Sequence, residues 1–132
     1  MKMMLDTNIC IFIIRKKPPT VLKHLGGYSA GDVGISSITL AELRFGVMKS
    51  SQPHSNRQAL YEFMLPLEIA DFDERAAREY GEIRAYLEKS GRIIGALDTL
   101  IGAHALSINA TLVTNNVNEF KRIKNLKVSD WT

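Results

Sequence analysis

A three-residue apolar run, Met3-Met4-Leu5, stops at Asp6-Thr7-Asn8, and a second apolar run, Ile9 to Ile14, follows at once. A short strand ending in a polar triplet, with a helix opening directly behind it, is the arrangement this pattern predicts. It leaves one carboxylate at the carboxyl end of a strand, where open α/β sheets place their ligands. The form recurs twice. Val33–Ser37 is an apolar run feeding a helix that carries Glu42, and Leu97-Asp98-Thr99 opens a third helix. Three acids at three junctions suggest one acidic pocket.

The remainder of the chain keeps the same rhythm. The first helix is predicted from about Asn8 to Arg15, with Arg15-Lys16-Lys17 placing cations at its C-terminal end and Pro18-Pro19 ending it. A second short helix opens near Pro19 and stops at Gly26-Gly27. Ser37 or Thr39 is expected to cap a helix reaching Met48, and polar Ser50–Ser55 reads as a loop. Asn56–Leu65 is helical in pattern, and Leu67–Phe72 is strand-like. Asp73–Lys89 gives the clearest helical signal, with Ala76, Tyr80, Ile83 and Leu87 on one stripe. A two-glycine connector, Gly91–Gly95, precedes a helix over Asp98–Ser107 and a strand over Ala110–Thr114. A turn of helix near Glu119–Ile123 and a strand near Leu126–Val128 follow. Alternating strands and helices predict an α/β fold with a mainly parallel central sheet covered by helices on both faces.

At 132 residues the expectation is a single domain over 1–132. No apolar run approaches the ~20 residues of a membrane span and no leader-like pattern precedes Ile9, so a cytoplasmic protein is expected. The lone Cys10 lies inside an apolar run and reads as a buried small hydrophobe. Seventeen Lys and Arg against fourteen Asp and Glu leave a net charge of +3. Setting aside the three candidate acids leaves seventeen cations against eleven, and a basic surface around an acidic metal site suits a polyanionic substrate.

Each acid has a purely structural alternative. Asp6 fits a helix N-cap, Glu42 the third position of a capping box begun at Thr39, and Asp98 a first helical turn. Jointly these readings fare worse, because parallel βα units bring their loop ends together. Converging carboxylates repel one another unless a cation sits between them. Magnesium suits such a set, since it takes hard oxygen ligands and retains waters.

Four blocks carry a resemblance: Met4-Leu5-Asp6-Thr7-Asn8, Ser36 to Leu43, Gly95-Ala96-Leu97-Asp98, and Leu112 to Phe120. In order and spacing they resemble the PIN-domain ribonucleases, in particular the VapC toxins of bacterial type II toxin–antitoxin pairs. The resemblance implies a PIN-like fold and a divalent cation, Mg2+ or in substitution Mn2+, held by Asp6, Glu42 and Asp98. It implies a metal-dependent endoribonuclease that hydrolyses structured RNA such as tRNA, including the initiator tRNA anticodon loop, and so inhibits translation. It further implies a VapB-type antitoxin partner and a homodimer. The sequence departs from the pattern in one place: where many PIN domains carry a fourth acid after the fourth strand, this chain reads Thr114-Asn115-Asn116. An amide adds no charge, so one tight metal site is expected.

Thr7, Asn8, Thr114, Asn115 and Asn116 lie beside these acids and suit supporting roles. Arg92 in the connector, with Lys121 and Arg122 in a basic cluster that continues to Lys124 and Lys127, are candidates for RNA phosphate contact. His24, His54 and His104 share no ligand spacing and read as structural or surface residues. Trp131 is expected to dock the chain's tail or a subunit. Two rival readings are a catalytically silent RNA-binding module and a phosphoaspartyl phosphatase. The latter needs a second acid two residues after Asp6, where Asn8 stands.

Overall fold

A computed structural model describes all residues from Met1 to Thr132. The strands are β1 (Met3–Leu5), β2 (Val33–Ser36), β3 (Glu68–Ala70), β4 (Thr111–Val113) and β5 (Val128–Ser129). The helices are α1 (Thr7–Arg15), α2 (Pro19–Leu25), α3 (Ser37–Lys49), α4 (Pro53–Met64), α5 (Glu74–Lys89), α6 (Ala96–Ser107) and α7 (Val117–Phe120). The sheet runs β3-β2-β1-β4-β5 with every pairing parallel. The expected parallel sheet is therefore the observed one.

Side-chain alternation along each strand splits the core in two. Met3 and Leu5 of β1 join Val33, Ile35 and Val113 beneath α1 to α4. Met4, between them, points the other way and joins Leu112 with Ile83, Leu87 and Ile101 of α5 and α6. Both faces of the sheet are thus covered, which is why its strands are apolar throughout instead of alternating with polar residues.

Chain order in the sheet reverses at β1. The first three strands step outward one way and β4 returns to the other side of β1. Such a switch point opens a crevice beyond the carboxyl ends of the two central strands. Asp6 follows β1 directly, and its N–H donates to Val113 O at the end of β4 (3.0 Å). Thr114 follows β4, and its N–H donates to Ser129 O of β5 (2.9 Å).

Several boundaries differ from expectation. The polar segment after α3 is only Ser50–Gln52, because Pro53 opens α4 with its ring at the first helical position, where a missing N–H costs nothing. The last strand is Val128–Ser129 instead of Leu126–Val128, its register set by pairing with Leu112 and Val113. On α5 the predicted stripe is the packed face, and Arg78–Glu74 and Arg84–Glu88 pair at 2.8 and 2.7 Å on its exposed side. Trp131 is 1% exposed, stacked with His24 and Tyr28 at centroid distances of 5.7 and 5.4 Å. It docks the tail onto α2 and the loop after it.

Candidate active site

Asp6 is buried, the N-cap of α1, and its Oδ1 accepts from the Ile9 N–H at 2.9 Å. The capping role predicted from sequence is real, and it does not exhaust the side chain. Burial pushes the Asp6 carboxyl above its ordinary range, with Glu42 and Asp130 adding repulsion. The Thr114 hydroxyl and the Ile9 N–H oppose the rise by bonding to the charged form.

Glu42 is not in a capping box. The cap of α3 is Ser36, whose Oγ accepts from the Ile38 N–H at 3.0 Å, so Glu42 stands in the second turn of the helix. Its Oε1 instead accepts from the Thr7 hydroxyl at 2.7 Å, across thirty-five residues of chain. That bond orients the carboxylate toward the end of β1. Ser36 also shares a 2.7 Å hydrogen bond with His104 Nδ1, so one hydroxyl starts α3 and ties it to α6. The buried His104 is held below its usual pKa by desolvation. Thr39, expected as a possible cap, is inside the helix with its hydroxyl buried and unpartnered.

Asp98 is the third residue of α6, which opens at Ala96, two residues earlier than expected. Its carboxyl is pushed up to about 6, first by burial, then by Glu119, Asp6 and Glu42. Glu119 is the acid that the sequence reading passed over. Its Oε1 accepts from the Gly95 N–H at the start of α6 (3.1 Å), and its other oxygen takes a short hydrogen bond from the Asn116 amide. The charge missing at Asn116 is thus supplied three residues later, on the same helical turn. The spacing Asn116-x-x-Glu119 resembles a capping pair and was the available signal.

The supporting residues divide. Thr7 and Thr114 touch the acids; Asn116 touches Glu119, and its backbone N–H donates to Thr114 Oγ1 (2.9 Å). Asn8 and Asn115 are exposed. Among the cations, Arg92, Lys121, Lys124 and Lys127 are exposed, whereas Arg122 donates to Ile93 O at 3.0 Å and fastens the connector. His24 and His104 are structural and His54 lies on the surface.

No three acidic, histidine or cysteine side chains close tightly enough to enclose an ion by themselves. The set nevertheless suits a hydrated magnesium ion, which needs one or two direct carboxylates and keeps its remaining waters. Four acids within electrostatic reach, two raised in pKa, are a donor set that a cation would relax. A groove of about 290 Å3 between α1, α3 and α4 opens beside Thr7 and Glu42; its walls mix apolar side chains such as Ile11, Ile14 and Leu60 with Arg15, Ser50 and Asn56.

A parallel α/β sheet with an acidic crevice at its switch point defines a class of ligand-binding α/β domains, and comparison makes it specific. Residues 3–126 match the PIN domain family, and the chain belongs to it. It is 48% identical over 129 residues to ribonuclease VapC2 of Rickettsia felis, covering 97% of this chain and 96% of that one. It is 42% identical over 132 residues to the tRNA(fMet)-specific endonuclease VapC of Shigella flexneri, covering 100% and 99%. Its fold superposes on a chain of the Rickettsia felis VapBC2 complex bound to promoter DNA with a TM-score of 0.94, at 46% identity and full coverage of both. The chain is accordingly a ribonuclease toxin of the VapC kind.

Proposed function

We propose that this toxin is a magnesium-dependent endoribonuclease acting on structured RNA, with initiator tRNA the first substrate to test. The observation that carries the metal reading is the convergence of Asp6, Glu42, Asp98 and Glu119 beyond the central strand ends, with burial and the neighbouring acids pushing the Asp98 carboxyl up to about 6. Such an arrangement is unfavourable in isolation and is relieved by a cation. The substrate suggestion rests on the Shigella flexneri relative, named for tRNA(fMet).

Asp6 and Asp98 would hold the ion, and Glu42, aimed by the Thr7 hydroxyl, would take the proton of the attacking water. When bound, magnesium neutralises charge on the phosphate and makes water a better nucleophile. Thr114 orients Asp6 and favours its charged form against the rise that burial imposes, and Glu119 fixes the start of α6 and hence the position of Asp98. In-line attack by water leaves a 5′-phosphate and a 3′-hydroxyl. Arg92 and Lys121, both exposed, contact phosphates beyond the scissile one. Asn8 gives a phosphoaspartyl mechanism no second acid.

The same reading includes a VapB-type antitoxin, a homodimer, the whole chain acting as one domain, cytoplasmic residence and arrest of translation. No helix is long and apolar enough to cross a membrane. The test is to map RNA 5′ ends after brief expression of this chain alone. Discrete new ends that vanish on chelation in vitro and return with magnesium or manganese are expected. Cleavage that survives thorough metal removal refutes the mechanism.

A further inference from the structure

The α3–α4 hairpin carries a surface that the acidic crevice leaves unexplained. From Leu43 to Tyr61 the chain contains no Asp or Glu, while Arg44, Lys49 and Arg57 supply cations. Within that stretch Phe45, Met48 and Tyr61 stand 66, 64 and 59% exposed. Isolated exposed apolar side chains are ordinary, but two of these, Phe45 and Met48, each lie against a cation. The Lys49 ammonium lies 5.8 Å from the centre of the Phe45 ring, and Arg57 Nη2 reaches Met48 Sδ at 3.5 Å. Met48 stands one turn beyond Phe45, and Tyr61 one turn beyond Arg57. The Met48–Arg57 contact links the exposed residues of α3 to α4, where Tyr61 follows at helical spacing. Phe45, where the strip starts, is about 4.5 Å along the helix axis from Glu42, one turn away.

We propose that this strip is a stacking platform for unpaired bases of the substrate RNA, with Phe45 and Tyr61 taking base faces and Arg44, Lys49 and Arg57 the adjoining phosphates. The proposal rests on the ribonuclease reading and adds how a single-stranded loop is led to Glu42. Aromatic faces bind any base, and flanking cations follow the backbone, a combination that suits single-stranded nucleic acid. The charge pattern favours a polyanion, since between Glu42 and Glu62 the hairpin carries three Arg or Lys and no acid.

The experiment compares the full-length wild type with Phe45→Ala, Tyr61→Ala and Phe45→Trp, all at exposed sites. Affinity for a fluorescent single-stranded oligoribonucleotide and for a blunt duplex of the same sequence is measured in chelator, and cleavage is measured with magnesium. Loss of one ring should weaken single-strand binding about five- to a hundredfold while duplex binding stays within about twofold on the same stacking argument. In cleavage, KM should rise more than kcat falls, and Phe45→Trp should keep wild-type behaviour. Alanine variants that bind and cut like the wild type overturn the platform. So do variants that cut RNA normally yet escape inhibition by a VapB-type antitoxin, which would make the strip a protein surface. A wild type that binds single strands through Phe45 but cuts no RNA would separate the two ideas, removing the nuclease reading and leaving the platform.

Discussion

Asp6 performs two tasks that one substitution separates. As the cap of α1 it is replaceable by Asn, which caps about as well. As a proposed metal ligand it is not, because the amide removes a charge from the ion's shell. Asp6→Asn should therefore fold, melt at or above the metal-free wild type, lose any magnesium-dependent rise in melting temperature, and fail to cleave RNA. Normal cleavage by the folded variant would return Asp6 to a purely structural role. Asp98 makes a pH prediction. Its folded carboxyl keeps its proton up to about pH 6, whereas the unfolded one releases it near 4. Folding thus takes up a proton in that window, and stability contributed below it is lost as pH rises through about 6. For a group this accessible the loss is about 1 kcal/mol after solvent screening. In chelator, Asp98→Asn should gain on the wild type between pH 4 and 6 and hold a constant lead above; melts showing a pH-independent gap would contradict the electrostatic account.

At the scale of elements, the start of α3 decides where Glu42 points. The segment Ser36-Ser37-Ile38-Thr39 offers three hydroxyls, and local sequence does not choose among them. His104, sixty-eight residues away, selects Ser36, while the Ser37 hydroxyl is taken by the Phe72 N–H at 3.0 Å. Ser36→Ala should cost about 1–3 kcal/mol, from the lost cap and the stranded His104 nitrogen. It should also lower cleavage by loosening Glu42. Thr39→Val should do the opposite to stability, since it removes a buried hydroxyl without a partner; a melting temperature equal to or above the wild type is expected. A clear drop would show that the hydroxyl has an unrecognised partner. The capping box inferred for Thr39 and Glu42 failed for this reason: the motif was present, but a tertiary hydrogen bond had already started the helix three residues earlier.

Across the whole molecule, the tail is part of the site's frame. Ser129 closes the sheet beside Thr114, Asp130 adds to the field at Asp6, and Trp131 stacks with both His24 and Tyr28. Trp131→Ala should cost about 3–5 kcal/mol, with Trp131→Phe losing less; a denaturant series reads both, and equal losses would mean that the stacked indole is not what holds the tail. The sequence by itself determined the α/β class, the parallel sheet and the strand-end position of Asp6. Apolar runs three to six residues long, broken by polar triplets, leave a chain few other ways to bury them. It also placed Glu42 and Asp98 as candidates and the α5 stripe as a packed face, since these follow from spacing along single elements. Only the tertiary structure decided the strand order that puts β4 beside β1, the choice of Ser36 as cap, and the entry of Glu119 into the acidic set. Those outcomes depend on contacts between residues tens of positions apart, such as Thr7 with Glu42 and Gly95 with Glu119. Local propensity carries no record of such distant pairs, because their energies exist only once the sheet has brought its strand ends together.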